Sequence, residues 1–226
     1  MNDEIAASIT IGGASEPIAF ETYKVRDYAD VILANQDNKF SDELIVLVKT
    51  MLNYGASAQE QFTHNTDAPA NHDVDHDLIP LSDSEIASIS SDVPEKDTIN
   101  AMLEGKGIEY YGYSLLLKTE TTLRFYFKKN GADTSALSLI DRDGKNVGAV
   151  KNYNDEYCYI EVTDIPASKL GENYVLKYGD VSLGSYSTFS YVKDVLLNDN
   201  DRNLREAVTT LYRYNEAAIT FFNSIA

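Results

Sequence analysis

The run His72-Asp73-Val74-Asp75-His76-Asp77 carries the densest set of metal-ligand side chains in the chain. His72 and His76 are four apart, a spacing that sets two imidazoles on one helix face, and the three aspartates are hard oxygen donors. No cysteine and no HExxH pattern accompanies them, and the surroundings are rich in Asn, Asp and Pro. A turn-forming linker accounts for the run without a metal. A second acidic run, Asn198 to Asn203, begins like a calcium loop. Counted from Asp199, however, the sixth position is Leu204 where such a loop needs Gly, and the twelfth is Thr210 where it needs a bidentate Glu. It reads instead as the connection and N-cap between two helices. No metal and no cofactor is expected.

Nucleophilic and acid–base chemistry find little support. The chain has no GxSxG, no Cys–His pairing and no glycine-rich phosphate loop. All three histidines, His64, His72 and His76, lie in or beside one linker, which leaves little general-base capacity near neutral pH. A fold can bring any two carboxylates together, so a paired-acid hydrolase stays open. The expectation is a non-enzyme. The single cysteine, Cys158, excludes an intrachain disulfide; in the strand-like run YCYIEV it reads as a small buried hydrophobe.

The tyrosines carry more. There are sixteen, with no tryptophan. Strand alternation points Tyr126, Tyr157 and Tyr159 to the same side of their strands, and on neighbouring strands they would form a flat aromatic platform. Such a platform stacks on sugar rings or anchors a protein partner. These three are the candidate ligand-binding residues. The competing reading has helices covering that face, which would make the rings core. The missing tryptophan ranks a protein partner above a glycan.

The elements that must position these residues include a repeat. Ser41–Phe62 aligns without gaps on Asp201–Phe222: Leu44, Val48, Thr50, Tyr54, Ala58 and Phe62 fall on Leu204, Val208, Thr210, Tyr214, Ala218 and Phe222. The matches step by three or four, one helix face. Upstream, Tyr23, Tyr28, Leu33 and Asn35 match Tyr186, Tyr191, Leu196 and Asn198, three residues out of phase. Two copies of a helix pair are expected, with Tyr54 and Tyr214 in equivalent, largely buried places. The second copy departs by placing Arg213, Asn215 and Glu216 where the first has Asn53, Gly55 and Ala56. Residues 4–23 read as two short strands about a Gly12–Gly13 turn, with Pro17 at the start of the second. Within 63–100, a short helix is expected after Ser82, whose spacing to Glu85 is that of a capping box. From Ile108 the period becomes alternating, through runs such as TTLRFYF and YCYIEV, with Asp141–Gly144 as a hairpin turn. Short strands at this spacing predict an antiparallel sandwich of about seven strands.

The fold class is therefore α+β: an antiparallel Ig-like β-sandwich followed by a helical hairpin, with a second, partial copy of the hairpin at the N-terminus. The blocks are 1–72 (a partial first module, a short β-hairpin plus two helices), 73–105 (linker) and 106–226 (a complete module, sandwich 106–187 and helices 188–226). The first copy lacks the earlier strands, as if cut from a longer tandem-repeat parent. A net charge of −17 over 226 residues argues against nucleic acid and anionic membranes, both of which call for clustered Lys and Arg. No stretch approaches the roughly 20 apolar residues of a membrane span. The MNDEIAASIT start has no signal-peptide pattern.

The runs YADVILAN and LVKTMLNYGASAQEQFTHNTDAPAN, with YYGYSLLLKTETTLRFYF leading into LREAVTTLYRYNEAAITFF, resemble a segment that recurs in large tandem-repeat secreted or cell-surface proteins of anaerobic gut Firmicutes. The resemblance covers both copies and so most of the chain, and it brings no catalytic residues to carry over. It implies a secreted or cell-surface location. The duplication, the lack of a catalytic constellation, and the tyrosines with the acidic surface point to a non-catalytic interaction module that binds a host or bacterial surface protein. The alternative is a carbohydrate-binding or accessory region of a glycan-degrading surface protein.

Overall fold

Caps and apolar periodicity set the helices, and alternation sets the strands. The computed structural model describes residues 4–5, 8–9, 18–19, 23–74, 79–90, 93–117 and 120–226. The chain divides into two compact units, residues 1–79 with 202–226, and residues 80–201.

The first unit opens with four two-residue strands, β1 (Glu4–Ile5), β2 (Ser8–Ile9), β3 (Ile18–Ala19) and β4 (Tyr23–Lys24), nested so that β1 pairs with β4 and β2 with β3. The expected Gly12–Gly13 turn and Pro17 lie outside the described residues. Helix α1 (Val25–Ala34) starts where the Asp27 carboxylate accepts the N–H of Lys24 at 2.8 Å, and it stops at Asn35, a left-handed residue at φ 38°. Helix α2 (Asp42–Gln61) is capped by Ser41, whose hydroxyl accepts from the Leu44 N–H at 3.3 Å, and Asp42 and Glu43 sit at the positive end of its dipole. Ala29 and Ile32 of α1 pack on Val48 and Leu52 of α2, with Val74 closing the cluster.

In the second unit α3 (Asp83–Ser88) has the expected capping box: Glu85 accepts the Ser82 N–H at 2.7 Å and Ser82 Oγ accepts the Glu85 N–H at 3.3 Å. Helix α4 (Lys96–Met102) falls inside the stretch expected as linker; with seven residues and one buried apolar side chain, Ile99, it is too short for periodicity to register. Seven strands follow: β5 (Ile108–Leu117), β6 (Thr121–Lys129), β7 (Leu137–Ile140), β8 (Ala149–Asn152), β9 (Tyr157–Val162), β10 (Tyr174–Tyr178) and β11 (Val181–Tyr186). They make two antiparallel sheets, in the orders β5-β6-β9-β8 and β11-β10-β7. Leu123, Phe125, Phe127, Cys158 and Ile160 of one sheet and Leu139, Leu176, Leu183 and Tyr186 of the other are fully buried. Phe125 meets Tyr186 edge-on at 4.7 Å, so the sheets share a core in a sandwich-like arrangement. Burial pushes the Cys158 thiol up, as befits a packed hydrophobe. At the Asp141–Gly144 turn, Asp141 Oδ1 accepts the N–H groups of Asp143 and Lys145. Helix α5 (Thr188–Asn198), capped by Ser187, buries Val192 and Val195 and sets Tyr191 against Tyr113 of β5.

Helix α6 (Arg202–Ser224) completes the first unit rather than the second. The packing thus divides the chain differently from the contiguous block 106–226: the matched apolar faces of α2 and α6 satisfy each other. The rings of Tyr54 and Tyr214 stack at 6.0 Å and 12°, both half-buried, and burial raises both phenols. The repeat's offsets hold in the elements, 163 residues from α1 to α5 and 160 from α2 to α6.

Candidate functional site

The face of β5-β6-β9-β8 turned away from the sandwich core carries the tyrosines singled out above. Register places Arg124 beside Glu161, Tyr126 beside Tyr159 and Lys128 beside Tyr157 across β6 and β9, with Lys151 of β8 beside Tyr159. At the centre is Glu161, whose side chain is 2 % exposed. Its Oε2 accepts from Arg124 Nε at 2.7 Å and its Oε1 from Lys151 Nζ at 2.6 Å. Burial by itself would raise this carboxyl, but the hydrogen bonds from Lys151 and Arg124 and their charges prevail and hold it below the usual carboxylate range. The Arg124 guanidinium also lies 4.2 Å from the centre of the Tyr159 ring.

The aromatic residues form two pairs rather than the expected flat platform. Tyr126 and Tyr159 are 6.3 Å apart and tilted by 52°, and the Tyr126 hydroxyl is 3.2 Å from Ser114 Oγ. Tyr157 packs edge-on against Tyr111 at 5.7 Å and 77°. Three of the four rings are half-buried; Tyr111 is 56 % exposed, with Lys96 Nζ 4.6 Å from its ring centre. The reason is local. The β5–β6 register shifts between Tyr110 and Gly112, and Gly112 sits at φ +152°, a conformation that favours glycine. The bulge leaves Tyr111 out of the ladder, beside Tyr157. Glu161, two residues beyond Tyr159 in the same strand alternation, is on that face but lies beneath its two cations. Sequence reasoning missed Tyr111 and Lys151, whereas Arg124 was legible from its alternation with Phe125.

Of the metal-like run His72–Asp77, the structure describes His72, Asp73 and Val74. Arg26 hydrogen-bonds Asp73 and the Ala70 carbonyl, and its Nε reaches Asp30 at 2.7 Å. The hydrogen bond from Arg26 lowers the Asp73 carboxyl. Asp75, His76 and Asp77 lie outside the described residues, among which no metal-ligating cluster of three side chains occurs. At Asn198–Asn203, Asp199 Oδ1 accepts the Asp201 N–H at 2.8 Å and Asn198 bonds Asp194, the contacts of a turn between helices. Glu120 and Asp164 are both exposed, and the neighbouring Asp164 carboxyl raises that of Glu120. No helix among the described residues is long and apolar enough to cross a membrane. No family model, no curated protein and no solved structure matches this chain.

Proposed function

We propose that this chain is a non-catalytic interaction module, secreted or displayed on a bacterial surface, whose tyrosine-bearing sheet face binds a host or bacterial protein. One observation carries the reading: four tyrosines, Tyr111, Tyr126, Tyr157 and Tyr159, share one sheet face with a salt-bridged Arg124–Glu161–Lys151 cluster. Tyrosine and arginine are the side chains that dominate protein-recognition energetics, because each offers a large contact area and a hydrogen-bonding tip. The internal centre matters as well. Glu161 already holds both cations by hydrogen bonds, so a partner meets fixed rings and a fixed guanidinium edge rather than flexible charges.

The finer reading of the fold is an immunoglobulin-type sandwich. Its support is the strand order: numbering the seven strands in sequence, one sheet runs first-second-fifth-fourth and the other seventh-sixth-third. Glycan binding is the alternative, since tilted tyrosine pairs also stack on sugar rings.

A glycan array run beside binding assays on fractionated host secretions and bacterial surface proteins separates these readings. Tyr126→Ala and Tyr159→Ala, each checked by circular dichroism for intact folding, are expected to weaken binding of the captured protein by about tenfold or more. Binding that survives both substitutions overturns the assignment to this face. Product release from a polysaccharide or peptide library, abolished by Glu120→Gln or Asp164→Asn, would overturn the non-enzymatic reading.

A further inference from the structure

One half of the internal repeat covers a helix face that the other half leaves bare. In α5, Tyr191 meets Tyr113 of the sandwich edge-on at 6.3 Å, and Thr188, one turn earlier on the same face, is fully buried. The matching positions of α1 are Val25 and Tyr28, yet Val25 is 38 % exposed and Tyr28 66 %, and Val31 one turn further on is 57 % exposed. The two helices are otherwise built alike. Each is fed directly by a strand, α1 by β4 and α5 by β11. In each, the third helical residue accepts the cap N–H: Asp27 from Lys24 at 2.8 Å, Ser190 from Ser187 at 3.0 Å. Their inner faces bury matched residues, Ala29 and Ile32 in one, Val192 and Val195 in the other. The difference lies in the sheets. The strand before α5 belongs to the sandwich, and the strand before α1 to a two-stranded sheet.

We propose that the Val25–Tyr28 face of α1 is a docking surface for a further β-sandwich of the kind formed by residues 108–186. That sandwich would seat a tyrosine, at the position of Tyr113, against Tyr28. The occupant follows from the repeat, which displays at Thr188 and Tyr191 the cover that Val25 and Tyr28 would take; the counterpart of Val31 is Asp194, which is exposed. The chain's own sandwich is not available for it, because Tyr191 occupies that place. The side chains fit the same contact. Thr188 buries a hydroxyl that has no hydrogen-bond partner among the described residues, and α1 offers the isosteric Val25 there. A row of exposed apolar side chains is a contact surface in search of a cover.

Two variants of the full chain test this. In the first, residues 106–187 are repeated ahead of Met1, and amide hydrogen exchange is followed in α1. Docking slows exchange there by about tenfold or more, and Tyr28→Asp in the extended chain restores the original rate. Protected strands in the added copy with α1 exchange unchanged would overturn the proposal. In the second, which decides the matter if the added strands do not fold, residues 188–197 are replaced by the sequence of residues 25–34. A helix built for the same surface keeps the melting temperature within about 5 °C of the parent. A fall as large as that caused by Tyr191→Asp in the parent overturns the proposal. Light scattering on the unmodified chain gives a third outcome: a dimer dissociated by Tyr28→Asp would assign the face to a second copy of the chain, against the proposal.

Discussion

Removing the Arg124 guanidinium would leave Glu161, 2 % exposed, with Lys151 as its remaining cation. A buried charge stripped of a partner is costly, so Arg124→Ala is expected to destabilise by about 3 kcal/mol in denaturant titrations. Lys151→Ala, at a half-exposed side chain, should cost less than about 1 kcal/mol. Equal effects of the two would contradict this picture of the centre. The same carboxylate sets an acid limit. Its folded pKa is depressed, so its contribution is complete above the unfolded value near 4.5 and is lost as pH falls through the lower folded value. Thr188→Val removes a buried hydroxyl without a partner among the described residues, and is expected to be neutral or to stabilise by up to about 1 kcal/mol. At this scale the sequence was half legible. Alternation in TTLRFYF is local and put Arg124 and Tyr126 on one face. Tyr111 was hidden because the Gly112 bulge resets the alternation, and Lys151 because its neighbours come from a strand pairing that local spacing does not encode.

Between elements, the decisive contact joins α2 and α6. Leu211 is 1 % exposed, so Leu211→Ala should cost about 2–5 kcal/mol, read as a lowered denaturation midpoint. Tyr54 and Tyr214 stack on each other, so single alanine substitutions and the double substitution should show a coupling of about 0.5–1.5 kcal/mol. Strict additivity would mean that the rings touch without interacting. The matched helix faces were readable from sequence, and so was their helical character. That each face would be satisfied by the other was not, since periodicity states that a face must be buried but does not name the partner.

For the whole molecule, the buried tyrosines predict an alkaline limit. Burial pushes Tyr186 up to about 12, and Tyr54, Tyr110, Tyr113 and Tyr214 move the same way. A phenol raised in the folded state leaves stability intact below the unfolded value near 10. Stability then falls as pH rises toward the folded value, because the unfolded chain ionises first. Tyr186 alone accounts for roughly 2–3 kcal/mol across that window. Cooperative unfolding between about pH 10 and 12, coincident with tyrosinate absorbance, is expected. Normal tyrosine titration with the fold intact would contradict it.

Composition, periodicity and capping-box spacing by themselves determined the α+β class, a count of about seven strands, the helix pairs with their offsets of 163 and 160, and the Ser82 cap. All of these rest on interactions within a few residues along the chain, where side-chain type dictates backbone choice. The tertiary structure alone decided that α6 leaves the sandwich for α2, that Tyr157 pairs with Tyr111, and that Glu161 lies beneath two cations. Those outcomes join residues as distant in sequence as Tyr54 and Tyr214, and they depend on which buried surfaces fit each other, a property of shape in three dimensions.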